Sequence, residues 1–214
     1  MTRILIADDH AVVRAGLKQM LARAFPMAEF QETATVPETL ASLQQSCFDF
    51  LMLDLFMPGG SGFDVLHQIR QTHPRVPVLV FSAAPEDPLG LRALRAGASG
   101  YLNKQTALRL IVPAIQKVMA GGKYISAALA EHLAVEVERD GHPLHDKLSE
   151  REYQVLHLIV TGHPPKEIAG CLFLSVKTVR TFRARILEKL HLQSDVDLVH
   201  YALEHLLVEE RPVA

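Results

Sequence analysis

Short apolar runs alternate with helix-length amphipathic segments from residue 3 to about residue 120. The runs are RILIA, AEFQET, FLMLD, VPVLVFS and GYL, and the segments that follow them cover 10–25, 37–46, 62–73, 88–97 and 106–120. Strands that each precede a helix imply a parallel sheet with helices on both faces. Because crossover connections are right-handed, few topologies remain, and the pattern predicts an α/β fold with a flavodoxin-like, doubly wound, five-stranded parallel sheet.

The second part of the chain has a purely helical pattern. A helix is predicted over 126–139, and the polar stretch ERDGHPLHD at 138–146 contains Gly and Pro, as segments between domains often do. Four more helices are predicted over 149–161, 165–172, 176–190 and 195–207. We therefore expect a first domain over 1–124, a linker helix and loop over 125–147, and a second, all-α domain over 148–214.

Composition and charge narrow the class of protein. The 214 residues carry a formal net charge of -2 and are 49% apolar, which is ordinary for a globular protein. Cys47 and Cys171 lie far apart, and we find neither a secretory leader nor an apolar run of roughly 18 residues. We expect a reduced, cytoplasmic protein without membrane contact, in which His142 and His145 are solvated loop residues and not zinc ligands.

Ionisable and hydroxyl side chains collect at the ends of the predicted strands. Asp8 and Asp9 end the first strand, Asp54 ends the third, Ser82 ends the fourth, and Lys104 follows the fifth. In an open parallel sheet, ligands bind beyond the carboxyl ends of the strands, where the strand order reverses. Each of these residues alone is more typical of a turn or a helix cap, so the hypothesis of a site depends on their combination.

Three carboxylates in one pocket repel each other unless a hard cation lies between them. Mg²⁺ suits such a site because it binds a few carboxylates, water and phosphate oxygens. An aspartate beside Mg²⁺ and a lysine can also act as a nucleophile and form an aspartyl phosphate. The pattern therefore indicates phosphoryl chemistry at Asp54.

The text "ILIADDH", "LDLFMPGGSG", "VFSA" and "GASGYLNK" resembles the receiver domain of two-component response regulators over residues 1 to about 124. The resemblance implies that Asp54 accepts the phosphoryl group. It also implies that Asp9, Asp54 and the backbone carbonyl of Phe56 bind Mg²⁺ directly, while Asp8 acts through water.

The same resemblance assigns roles around the phosphoryl group. Ser82 and Lys104 would contact its oxygens, and the small Ala83 would leave room for it. Tyr101 would be an aromatic switch that turns inward when Ser82 moves toward the phosphate. Pro113 departs from a regular pattern, since an interior proline removes a helix hydrogen bond, so the helix over 106–120 should be kinked or begin late.

The segment "LSVKTVRTFRARILEKL" at 174–190 combines an apolar face with a basic face. Residues 164–192 contain six basic and two acidic side chains, a local charge of +4. Ser175 is a suitable N-cap, and the short helix before it, "PKEIAGCL", gives a helix-turn-helix pattern. The second helix of such a pair enters the DNA major groove.

Residues 148–207 resemble the LuxR-type helix-turn-helix, and together with the receiver they resemble NarL/FixJ-type regulators. The resemblance implies a sensor histidine kinase and promoter DNA as partners, and a homodimer in the active state. The candidate DNA-binding residues are Ser175, Lys177, Thr178, Arg180, Thr181 and Arg183. Lys177, Thr178, Arg180 and Thr181 would face base edges and Arg183 a phosphate. Thr181-Phe182 stands where Asn-His is more usual in the family.

Two other functions remain open at this point. One is a phosphorylation-gated module whose C-terminal helices bind a protein and not DNA. The other is a phosphohydrolase resembling the haloacid dehalogenases, which place a second Asp two residues after the nucleophile. Phe56 stands at that position here, and we expect no enzymatic turnover.

Overall fold

The computed structural model of the chain describes residues 2–83, 86–105, 109–138, 144–205 and 207–208. The chain divides into two compact units, Met1–Ala134 and Val135–Ala214. The finer predicted limits of 1–124, 125–147 and 148–214 stay a prediction. Of the two loop histidines, His142 lies outside the described residues.

The first unit contains the predicted five-stranded parallel sheet. Its strands are β1 (Arg3–Ala7), β2 (Glu29–Thr33), β3 (Phe50–Leu53), β4 (Val78–Ser82) and β5 (Gly100–Asn103). Their order is β2-β1-β3-β4-β5, and every pairing is parallel. This order is the flavodoxin-like one, which confirms the predicted fold class. The direction of winding reverses between β1 and β3, so their carboxyl ends border a crevice.

Helices cover both faces of this sheet. They are α1 (Ala11–Ala24), α2 (Val36–Gln45), α3 (Gly62–Thr72), α4 (Glu86–Arg95) and α5 (Ile111–Met119), followed by α6 (Ala127–Glu138). Leu17 and Leu21 of α1 and Ile115 of α5 pack with Ile6 and Met52 of the sheet in one core cluster. Side chains alternate along a strand, so neighbours such as Leu5 and Leu53 line the opposite face, where they are also fully buried.

Pro113 does not break α5, because this helix begins late. Its first residue is Ile111, and the first intrahelical bond runs from the N–H of Ala114 to the carbonyl of Leu110, 2.9 Å away. Pro113 therefore lies in the first turn, where backbone N–H groups have no intrahelical partner. Residues 106–108 of the predicted helix lie outside the described residues.

The second unit is helical in all of its described part. A short 3₁₀ helix at Leu144–Lys147 precedes α7 (Glu150–Val160), α8 (Pro165–Cys171), α9 (Val176–Leu190) and α10 (Asp195–Glu204). Ser149 and Ser194 begin α7 and α10 with reciprocal caps, whereas α8 begins after Pro164 without a side-chain cap. Ile168, Val179 and Ile186 are fully or almost fully buried, so α8 and α9 share one core.

The prediction that His145 is a solvated loop residue is wrong. His145 is 8% exposed. Its backbone N–H donates to the hydroxyl of Tyr201 at 3.2 Å, and its Nδ1 lies 3.1 Å from the same oxygen. The Pro/Gly-containing stretch therefore ends in a segment that packs on α10, because the tyrosine 56 residues later supplies a polar partner. Among the described residues, no helix is long and apolar enough to cross a bilayer.

Candidate functional site

Asp54 lies directly after β3 and remains part of the sheet's hydrogen-bond ladder. Its backbone N–H donates to the carbonyl of Ala7 at 2.8 Å, and its residue surface is only 3% exposed. The N–H of Phe56 donates to Asp54 Oδ1 at 3.2 Å. The sheet therefore holds a carboxylate at the rim of the core, in the crevice between β1 and β3.

Gly62 lets the segment after Asp54 fold closely against α3. A Cβ at this position would lie 2.5 Å from the Asp54 carbonyl oxygen and 2.6 Å from Leu55 Cα, closer than real contacts allow. The side chain of Ser61 caps α3. The backbone N–H of Ser61 donates to the carboxylate of Asp64 at 2.9 Å. The Pro-Gly-Gly-Ser-Gly motif thus fixes the backbone around Asp54.

Lys104 joins the carboxylates across the crevice. Its Nζ lies 2.6 Å from Asp8 Oδ2 and 2.6 Å from Asp54 Oδ2, and its side chain is 13% exposed. The backbone N–H of Lys104 donates to the carbonyl of Ser82 at 2.8 Å, which continues the pairing of β4 with β5. Residues from the ends of β1, β3 and β5 therefore meet around one ammonium group, as the strand-end pattern predicts.

Burial and charge act in opposite directions on the central pair. Burial raises the pKa of Asp54, Lys104 acts against this rise, and the neighbouring Asp8 adds to it. Burial alone would lower the pKa of Lys104, but the carboxylates of Asp54 and Asp8 outweigh it and raise that pKa. The pocket therefore keeps Lys104 charged. This single ammonium group does not balance the negative charges of the carboxylates around it.

The carboxylates form a donor set that fits a hard divalent cation. Ligand atoms of Asp8, Asp9, His10 and Asp54 all lie within 4.8 Å of one another. Two ligands on opposite sides of Mg²⁺ lie about 4 Å apart, so small adjustments would bring these oxygens to bonding distance. The sequence analysis missed His10, whose Nδ1 lies 2.7 Å from Asp9 Oδ1; its position directly after two aspartates was the available signal.

The two residues predicted to form the switch are both buried. Ser82 is fully buried at the end of β4. Tyr101 is 1% exposed, and on β5 it pairs with Val80 of β4. Ala83, which follows Ser82, is exposed. The aromatic ring of Tyr101 therefore lies inside the unit.

In the second unit, α9 places basic side chains on its solvent side. Lys177, Arg180 and Arg185 are exposed, whereas Val179 and Ile186 are buried against the core. Val176, the first residue of α9, is only partly buried. The helix α8 precedes α9 across a connection of four residues, 172–175, and α9 has the predicted bounds of 176–190.

Four of the candidate DNA-binding residues already have hydrogen-bond partners within the unit, and they are Ser175, Thr178, Thr181 and Arg183. The Ser175 hydroxyl caps α9 by accepting from the N–H of Thr178 at 3.0 Å, and the two hydroxyl oxygens lie 2.8 Å apart. Arg183 Nε donates to Asp195 at 2.7 Å, an ion pair that the sequence analysis missed. Lys177 and Arg180 are therefore the more accessible cations.

Comparison with known families supports this combination of a sheet with an acidic crevice and a helix-turn-helix. Residues 4–116 match the response regulator receiver domain. Residues 146–202 match the bacterial regulatory proteins of the luxR family. The chain belongs to the response regulators of the NarL/FixJ type, in which a receiver domain is joined to a LuxR-type DNA-binding domain. It is a DNA-binding regulator of transcription.

Relatives cover nearly the whole chain. It is 37% identical to the response regulator GacA of Pseudomonas viridiflava over 212 residues, which are 98% of this chain and 99% of GacA. A structure of the RcsB response regulator of Salmonella typhimurium covers 95% of this chain and 100% of RcsB, with 25% identity and a TM-score of 0.59. A structure of two RcsB dimers bound to two parallel DNAs covers 94% and 98%, with 25% identity and a TM-score of 0.58.

Proposed function

We propose that a sensor histidine kinase phosphorylates Asp54 in the cytoplasm and that the phosphorylated chain binds promoter DNA as a dimer. The observation that carries this proposal is the position of the Lys104 ammonium, 2.6 Å from carboxylate oxygens of both Asp8 and Asp54. The carboxyl end of a parallel sheet that concentrates acids around one lysine is suited to accepting a phosphoryl group.

The transfer step follows from the chemistry of these groups. An oxygen of the Asp54 carboxylate attacks phosphorus, and the bond from phosphorus to the kinase's histidine nitrogen breaks. That nitrogen keeps the electron pair, so the ring leaves as neutral imidazole when its other nitrogen carries a proton, and otherwise leaves as the anion and takes a proton from water. Lys104, which already lies beside the attacking carboxylate, compensates the negative charge of the phosphoryl oxygens.

Asp9, Asp54 and the carbonyl of Phe56 would hold Mg²⁺, with Asp8 acting through water. The ion, when bound, supplies positive charge to the phosphoryl oxygens and relieves repulsion among the carboxylates. Lys104 supplies a second positive charge for the phosphoryl oxygens. It reaches the crevice from the end of β5, where it pairs with Asp8 and Asp54.

The signal then passes through Ser82 and Tyr101. The Ser82 hydroxyl donates to a phosphoryl oxygen, and the shift of Ser82 favours the inward position of Tyr101. Tyr101 already occupies a buried position, so phosphorylation stabilises this state and does not create it. The face of α4, β5 and α5 would then support the dimer.

Phosphorylation by acetyl phosphate tests the acceptor. The wild type and Asp49→Asn should each gain one phosphoryl group by intact-protein mass spectrometry, whereas Asp54→Asn should gain none. Asp49 is a matched control because it is an exposed carboxylate whose Oδ2 accepts a backbone N–H from Arg3. Equal labelling of Asp54→Asn and the wild type would refute the assignment.

A further inference from the structure

The solvent side of α9 is a single stripe of side chains. Exposed residues recur at spacings of three and four, so they lie above one another on one face of the helix. They are Lys177, Arg180, Thr181, Ala184 and Glu188, and Arg185 is exposed beside them. Val179, Ile186, Leu187 and Leu190 are buried on the other side. The stripe is therefore the surface of α9 that is free to enter a groove.

The first half of this stripe carries two cationic donors and no carboxylate or amide side chain. Lys177 and Arg180 carry donors only. The Thr178 hydroxyl, beside the stripe, lies 2.8 Å from the Ser175 hydroxyl. All of α9 is described, and Glu188 is the one carboxylate of the stripe. It lies seven residues after Thr181, about 10 Å further along the helix axis.

The exposed Thr181 carries both a hydroxyl and a methyl group. Its Oγ1 donates to the carbonyl of Lys177 at 3.1 Å, so the hydroxyl hydrogen is used within the helix. The γ-methyl of this exposed residue is left for an outside contact. Ala184 adds a second methyl group nearly one turn further along the same stripe. Apolar methyl groups therefore follow directly after the two cationic side chains.

We propose that α9 reads DNA by a pattern of donors followed by methyl groups. Lys177 and Arg180 donate to the O6 and N7 acceptors of guanine, and the γ-methyl of Thr181, with Ala184, packs on the 5-methyl group of thymine. This inference rests on the proposed binding of promoter DNA.

Removal of the thymine methyl group tests the assignment of Thr181. A preferred duplex is first selected from random sequences with the full-length protein phosphorylated by acetyl phosphate. Replacement of thymine by uracil in the half-sites should weaken wild-type binding roughly fourfold for each lost methyl contact. The same replacement outside the half-sites should leave binding unchanged.

Two variants of Thr181 separate its methyl group from its hydroxyl. Thr181→Ser keeps the hydroxyl and loses the methyl group, so its preference for thymine over uracil duplexes should fall to the part that Ala184 contributes. Thr181→Val keeps a methyl group and should retain the difference. Wild-type binding that is insensitive to uracil, or a Thr181→Ser variant as sensitive as the wild type, would overturn the inference while leaving DNA binding intact.

The guanine contact has a parallel test. Replacement of guanine by 7-deazaguanine removes N7, so it should weaken wild-type binding and leave Arg180→Ala, already weaker, without further loss at the contacted guanine. An equal additional loss in Arg180→Ala would overturn the assignment of that arginine. If no duplex is selected in any phosphorylation state, the proposed function fails and this inference fails with it.

Discussion

The acidic crevice of the first unit and α9 of the second unit hold their charges in opposite ways. In the crevice, Lys104 contacts two almost fully buried carboxylates, so each charge depends on its neighbours. On α9, Lys177 and Arg180 are exposed and their charges are screened by salt. A buried cluster of charges is therefore suited to a reaction at one atom, whereas an exposed row of cations is suited to binding a long polyanion.

Loss of Lys104 should give the largest effect on stability. Lys104→Met leaves Asp8 and Asp54 buried without their cation, and breaking a buried ion pair in this way costs about 3 kcal/mol or more at neutral pH. Lys18→Met is the matched control, since Lys18 pairs with Glu32 at 2.8 Å on the surface and should cost less than about 1 kcal/mol. Urea unfolding followed by circular dichroism measures both; equal costs would contradict the comparison.

Burial also controls an ionisable group in the second unit, His157, and should make the stability of that unit depend on pH. Burial, with a smaller contribution from His163, lowers the pKa of His157 from 6.5 to about 4. The unfolded chain therefore binds more protons between these values, so the stability contributed above pH 6.5 is lost as the pH falls toward 4. The loss approaches about 3 kcal/mol.

Amide hydrogen exchange in α7 measures this loss in the full chain. His157→Leu should show a flatter dependence on pH in this window, while His200→Leu, which changes an exposed histidine of α10, should follow the wild type. If the stability of α7 in the wild type does not change between pH 6.5 and 4, His157 does not control the pH dependence of this unit.

The exposed cations of α9 should affect DNA binding and not stability. Arg180→Ala should weaken binding to a selected duplex by about 1–3 kcal/mol, because a base contact is lost. Arg185→Ala should cost less and lower the slope of affinity against salt by about one, as a phosphate contact does. Arg23→Ala, an exposed change on α1, is the control. Fluorescence anisotropy over a salt series distinguishes these outcomes, and an unchanged affinity of Arg180→Ala would remove α9 from the interface.

The smallest expected effect concerns backbone strain beside α9. Phe173 has a backbone φ of 54°, which residues other than glycine rarely adopt. Its residue surface is 51% exposed. Phe173→Gly should stabilise the second unit by about 0.5–1 kcal/mol, since little packing is lost. His191→Gly, at a φ of 57°, is a matched second case. Thermal unfolding measures both, and a destabilised Phe173→Gly would indicate packing that outweighs the strain.

The sequence predicted the sheet because buried parallel strands are short apolar runs, and ILIA of β1 and FLML of β3 contain no polar residue. The meeting of Asp8, Asp54 and Lys104 was predictable because topology brings strand ends together. The burial of His145 was not, since it depends on Tyr201, 56 residues away. The pairing of Arg183 with Asp195 was hidden for the same reason, because the sequence does not show which neighbouring helix reaches a cation.

Trapping the phosphorylated residue tests the central claim most directly. Borohydride reduces an aspartyl phosphate to homoserine, which tandem mass spectrometry can locate in a peptide. After treatment with acetyl phosphate and Mg²⁺, we expect homoserine at position 54 and at no other aspartate. Conversion at Asp8 or Asp9, with Asp54 unchanged, would contradict the account.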